Sequence, residues 1–208
     1  VLDTLEAAAK PGMSTWELNE IAARRLKQLK AESAFLGYHD YPAVLCTSVN
    51  EVVVHGIPRK DVVLKDGDIL SIDFGAFKDG WCGDSARTLP MGRISPEAQA
   101  LVDATRNSLE RAIAECVPGN RLGDIGHAVQ SYVEPLGYSV VRQFVGHGIG
   151  RKMHEEPHVP NFGVKGRGLS GAVVKTVSNT MMINRVAEDL GVKLYEVPVG
   201  FKYVAKLM

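Results

Sequence analysis

Leu18, Ile21, Ala22, Leu26 and Leu29 recur at three- and four-residue intervals among polar neighbours, a spacing that gathers apolar side chains on one side of a helix. Ser14 can cap its start, and Glu17, three residues on, completes a capping box. An apolar, Ala-rich stretch at 1–9 precedes it and breaks at Pro11-Gly12. The period then changes. Residues 44–54 are rich in β-branched side chains around Ser48-Val49-Asn50-Glu51, which predicts two strands paired across a turn. Lys65-Asp66-Gly67-Asp68 is a turn, 69–74 a strand, Asp79-Gly80 a hairpin turn and 81–88 the returning strand. Ser95-Pro96-Glu97 starts a helix with proline at its first position, running to about Cys116. Another helix is expected over 122–136, and a strand over 139–144 leading into Gly146-His147-Gly148-Ile149-Gly150.

The last fifth of the chain changes style. A strand at 172–177, a helix at 179–190 stopped by Gly191, and a strand at 193–197 make a βαβ unit, which favours parallel pairing; a further helix begins at 201. The stretch 163–171, with four glycines and two cations, is the natural boundary. The expected fold class is α+β: an antiparallel sheet with helices over 1–168, completed by a βαβ-type segment over 169–208.

Composition narrows the function classes. A chain of 208 residues with 45% hydrophobic content can bury a core. Lys+Arg 24 against Asp+Glu 24 leave no net charge to attract nucleic acid or an anionic membrane. No apolar run approaches the roughly 18–20 residues of a membrane span, and no signal-peptide pattern opens the chain, which begins at Val1. Cys46, Cys82 and Cys116 are odd in number and far apart, as expected of a reducing cytoplasm.

The candidate chemistry lies in acids and histidines. Asp73 and Asp84 flank the Asp79-Gly80 turn, so a paired hairpin can project both carboxylates from one face, where they could bridge two cations. Taken alone, the two acids read equally well as turn caps. His147 and His55 sit at strand ends beside glycine, and His154 precedes Glu155-Glu156-Pro157; singly, each reads first as a structural histidine. Five stretches then make one pattern: Gly37-Tyr38-His39-Asp40-Tyr41-Pro42, Ser48-Val49-Asn50-Glu51-Val52-Val53-Val54-His55-Gly56-Ile57-Pro58, Gly67-Asp68-Ile69-Leu70-Ser71-Ile72-Asp73, Gly83-Asp84-Ser85-Ala86-Arg87-Thr88 and the run 146–157. Their order and spacing resemble the type I methionine aminopeptidases of the pita-bread fold.

That resemblance implies a divalent metal (Co, Mn, Fe or Zn) held by Asp73, Asp84 and His147, with Asp84 bridging. It implies that His55 and His154 position the scissile amide of a peptide with N-terminal Met. Tyr38, Tyr41, Cys46 and Met153 would wall the pocket for the methionine side chain, although Cys46 and Met153 also read as core. The family's two further glutamates are not found after His154: Val173-Val174-Lys175-Thr176-Val177-Ser178-Asn179 lacks an acid where the first would fall. The tail, through residues 174–187 and Val197-Pro198-Val199-Gly200-Phe201-Lys202, instead resembles a βαβ piece of the bacterial phosphoglucomutase/phosphomannomutase family. The sequence therefore leads to the expectation of an engineered chimera: a truncated aminopeptidase-like domain at 1–168 and a mutase-like segment at 169–208, with metal weak or absent and no turnover. A weak metal-dependent methionine aminopeptidase, removing N-terminal Met from peptides, and a non-catalytic pita-bread binding module are the alternatives. An exposed sheet edge would favour homodimers or domain swapping.

Overall fold

The computed structural model describes residues 1–167 and the backbone of two short strands, Val174–Thr176 and Tyr195–Val197. It divides into two compact units, Val1–Asp103 with His147–Pro157, and Ala104–Gly146 with His158–Met208.

In the first unit, helix α1 (Leu2–Ala8) leads through Pro11-Gly12 into α2 (Thr15–Leu29). The expected capping box is present: Ser14 Oγ accepts from the Glu17 backbone N–H, and Glu17 Oε2 accepts from the Ser14 backbone N–H at 2.7 Å. Leu18, Ala22 and Leu26 form the buried stripe of α2. They pack with Leu5, Val44, Leu45, Leu64, Leu70, Ile72, Phe74, Leu89 and Met91 into one core. The sheet holds β1 (Glu32–Ser33), β2 (Cys46–Val49), β3 (Ile69–Lys78) and β4 (Trp81–Pro90), with β3 antiparallel to the other three. Asp79 (φ 52°) and Gly80 (φ 80°) are both left-handed, the backbone a two-residue hairpin turn between β3 and β4 demands.

Strand alternation decides what β3 does. Leu70, Ile72 and Phe74 enter the core, so Ser71, Asp73, Gly75 and Phe77 occupy the opposite face. Register carries that face to the neighbours: Asp73 lies between Cys46 on β2 and Ala86 on β4, and Gly75 opposes Asp84. A slip of β3 by one residue would turn Asp73 into the core and expose Leu70, Ile72 and Phe74.

Two expectations fail here. Residues 44–54 do not form a hairpin with each other: only Cys46–Val49 is a strand, and it pairs with β3. The apolar run Val52-Val53-Val54 is exposed instead, because the chain turns at Asn50 (φ 52°) and comes back to set Gly56 against Thr47. Thr47 N–H donates to Gly56 O at 2.8 Å, and a Cβ on Gly56 would lie 2.1 Å from the Thr47 carbonyl oxygen. Residues 139–144 likewise form no strand among the described residues; β-propensity gives no ladder without a neighbouring edge.

The second unit contains the C-terminal half of α3 (Pro96–Ala114) and α4 (Leu122–Val133), the latter followed by a 3-10 turn at Glu134–Leu136. Asp124, buried in the first turn of α4, accepts from the backbone N–H of Arg121 at 2.7 Å and from that of Gly166. β5 (Gly146–Gly148) and β6 (Glu155–Val159) form a two-stranded ribbon. β7 (Val174–Thr176) and β8 (Tyr195–Val197) run parallel, while the helices expected at 179–190 and from 201 lie outside the described residues. Among the described residues no helix is long and apolar enough to cross a membrane.

Candidate metal centre

All nine residues singled out in the sequence fall in the first unit. Asp73 and Asp84 are diagonal neighbours on one face of the β3–β4 hairpin, since Asp73 pairs with Ala86 and Asp84 stands two residues from it. The Asp84 backbone is open on β4, yet its carboxylate is shielded, with the side chain 21% exposed. Burial first and the neighbouring Asp84 charge second raise the Asp73 carboxyl to about 7. Two carboxylates so placed repel unless a proton or a cation stands between them.

His147 supplies the third donor. Its Nδ1 lies 2.9 Å from Gly148 O, and a carbonyl oxygen can only accept, so Nδ1 carries the proton. In the neutral ring Nε2 then keeps its lone pair, 3.8 Å from Asp84 Oδ2. A lone pair set against a carboxylate is unfavourable as it stands and favourable with a cation nearby. Among the described residues no three donors close on one another at ligand distances. Asp73, Asp84 and His147 are thus an open half-shell, and its nitrogen and carboxylate donors suit a borderline divalent ion.

His154 lies beside this half-shell. Its ring centroid is 4.2 Å from that of His147, and its Nδ1 is 2.9 Å from Tyr38 Oη. Desolvation, then the nearby His147, hold its pKa below the usual imidazole value. His55 stands on the exposed loop before Gly56 in a left-handed conformation (φ 57°) and contributes to the field at His154.

The expected pocket residues separate by role. Cys46 and Met153 are buried together with Ala34 and Phe35, edged by Tyr41, Phe77 and Cys82. Burial pushes the Cys46 thiol up to about 11, so it stays protonated and apolar in character at neutral pH. Tyr41 is pinned by its hydroxyl, which lies 3.1 Å from both Leu45 O and Gly56 O, and it meets Phe35 edge to face at 6.4 Å. Tyr38 is 42% exposed and belongs to the histidine side rather than to the apolar cluster. Sequence reasoning missed Phe35, Phe77 and Cys82. The last two stand on the same strand face as the acids, four residues after Asp73 and two before Asp84, so period-two counting could have found them.

The sequence matches metallopeptidase family M24 over residues 1–193. It is 52% identical over 167 residues to a methionine aminopeptidase of Clostridium acetobutylicum, covering 80% of this chain and 67% of that protein. A methionine aminopeptidase of Aquifex aeolicus is 47% identical, with coverage of 77% and 65%. The crystal structure of methionine aminopeptidase from Thermotoga maritima superposes with a TM-score of 0.80 at 42% identity, over 82% of this chain and 69% of that one. The chain therefore spans about two thirds of the length of the relatives it matches. These matches overturn the expectation of a chimera without turnover. The family match continues through 163–171, where a second family was expected to begin, and nothing supports a phosphoglucomutase segment. The expectation of weak or absent metal, drawn from the two glutamates not found after His154, has no support in these matches, and the family they show is one of metallopeptidases. With a pita-bread sheet carrying paired acids and a histidine, and with matches of this depth, the chain belongs to the metallopeptidase family M24.

Proposed function

We propose that this chain is a metal-dependent methionine aminopeptidase, releasing N-terminal Met from peptides. The observation that carries the reading is one sheet face on which Asp73 and Asp84 stand beside His147, whose Nδ1 donates to Gly148 O, next to a buried apolar cluster of Phe35, Cys46 and Met153. Asp73, Asp84 and His147 would hold the metal. A divalent cation there would supply Lewis-acid polarisation of a carbonyl and a water of lowered pKa.

The chain's own groups do the remaining work. The cluster of Phe35, Cys46 and Met153 beside the acids offers soft sulfur and aromatic surface, which suits an unbranched thioether better than a charged side chain. Tyr41, tied to the carbonyls of Leu45 and Gly56, fixes the edge of that cluster and the loop that carries His55. His154, whose pKa desolvation holds below the usual imidazole value, offers hydrogen bonding to the scissile amide from one side, and His55 from the loop. Substrate is thus a peptide with a free N-terminal Met.

The test is direct. Metal-stripped protein, reloaded with Co²⁺ or Mn²⁺, should release free methionine from a Met-initiated tripeptide, spare its Lys-initiated counterpart, and lose that release in Asp84→Ala. No release under any metal, or release that persists in Asp84→Ala, would refute the proposal.

A further inference from the structure

Tyr38 sits in the most distorted backbone near the site. Gly37 (φ 80°), His39 (φ 48°) and Asp40 (φ 62°) are all left-handed, and two of these carry side chains that resist the conformation. Four backbone hydrogen bonds over-determine the turn: Gly37 N–H to Tyr41 O at 2.9 Å, Tyr38 N–H to Phe35 O at 2.9 Å, Asp40 N–H to Gly37 O at 3.4 Å, and Tyr41 N–H to Tyr38 O at 3.0 Å. The turn sets the Tyr38 ring edge-on to His39, with centroids 4.4 Å apart, and tilted against His154 at 5.5 Å. Its hydroxyl meets His154 Nδ1 at 2.9 Å.

The direction of that hydrogen bond follows from acidity. A phenol O–H is a far stronger proton donor than a neutral imidazole N–H, and the imidazole nitrogen lone pair is the better acceptor. The favoured arrangement has Tyr38 O–H donating to Nδ1, which leaves the ring proton of His154 on Nε2. His147, 4.2 Å away by centroid, is set the other way, because its Nδ1–H is committed to Gly148 O. Two adjacent imidazoles therefore present opposite functions at Nε2: a lone pair on His147 and a proton on His154.

We infer that Tyr38 is a positioning residue, whose hydroxyl locks His154 in the Nε2–H tautomer and so makes it a hydrogen-bond donor to the carbonyl oxygen of the scissile amide. This rests on the aminopeptidase reading for its substrate and assigns Tyr38 a role apart from the apolar wall. Tyr38→Phe keeps the ring and removes only the hydroxyl, on a residue exposed enough that folding does not depend on it.

The experiment measures ¹⁵N imidazole shifts of His154 in the full chain, metal-free and Zn²⁺-loaded, alongside steady-state methionine release. The parent should show a protonated Nε2 and a lone-pair Nδ1, and Tyr38→Phe should show a mixture of tautomers. The kcat of Tyr38→Phe should fall by about 10-fold or more, the effect expected for loss of an outer-shell orienting partner, with KM unchanged. A parent with Nδ1 protonated, an unmoved tautomer in Tyr38→Phe, or a raised KM at constant kcat would overturn the inference. A parent that releases no methionine sinks the aminopeptidase reading instead, and the nitrogen shifts still decide the tautomer.

Discussion

Asp73 concentrates the electrostatic tension of the site. Burial and the Asp84 carboxylate raise its pKa to about 7, whereas an unfolded Asp titrates near about 3.9. Between those values the folded chain binds the proton more tightly than the unfolded one. The stability linked to this group is therefore full below about pH 4 and lost as pH rises through about 7. The metal-free protein should melt at falling temperature between about pH 4 and pH 7 through this group. Asp73→Asn should flatten that limb of the melting curve. A slope unchanged in the variant would place the tension elsewhere. Because burial outweighs the Asp84 charge, removing Asp84 alone relieves only part of the shift. Cation uptake would displace the same proton, so metal binding and proton release are one equilibrium at this residue. The hairpin that sets both acids on one face was legible in the sequence, although alone they read equally well as turn caps; the burial that raises the Asp73 carboxyl was not, because it comes from tertiary packing.

At the scale of elements, the legible parts were those with strong local signals. The capping box at Ser14, the α2 stripe and the Asp79-Gly80 hairpin all stand where spacing and turn chemistry put them. The 44–54 segment did not, because Val52, Val53 and Val54 read as strand by propensity while the decisive contact is tertiary. Gly56 passes so close to Thr47 that no side chain fits, and this approach positions the loop bearing His55. Gly56→Ala tests the point. Its Cβ would meet backbone, which cannot swing aside as a side chain could, so the loop must move. Displacement of a substrate-positioning group by about 1 Å can cost about 10²-fold in rate. We expect a loss of that order in kcat/KM with the far-ultraviolet circular dichroism unchanged, and near-parental kinetics would show that the loop does not hold a working residue.

Across the whole molecule, Asp73 of the first unit and Asp124 of the second respond to acid with opposite sign. In the second unit, backbone N–H bonds from Gly166 and then Arg121 hold the Asp124 carboxyl below the usual range. A depressed folded pKa contributes stability that is present above the unfolded value and lost as pH falls through the folded one. Asp124→Asn should therefore lower the melting temperature at neutral pH, with the gap from the parent closing as pH drops below about 4. A gap independent of pH would mean that shape, not charge, makes the contact. Composition was informative at this scale mainly by exclusion, and it has one further consequence. A chain with 24 cationic and 24 anionic side chains sets up no overall field to gather metal ions from solution. Discrimination among them must come from local ligand character. The Gly148 carbonyl, by keeping the proton on the near nitrogen of His147, makes the far one a standing Lewis base, and such a donor favours manganese, iron, cobalt or zinc over the oxygen-seeking magnesium and calcium that far outnumber them in most fluids.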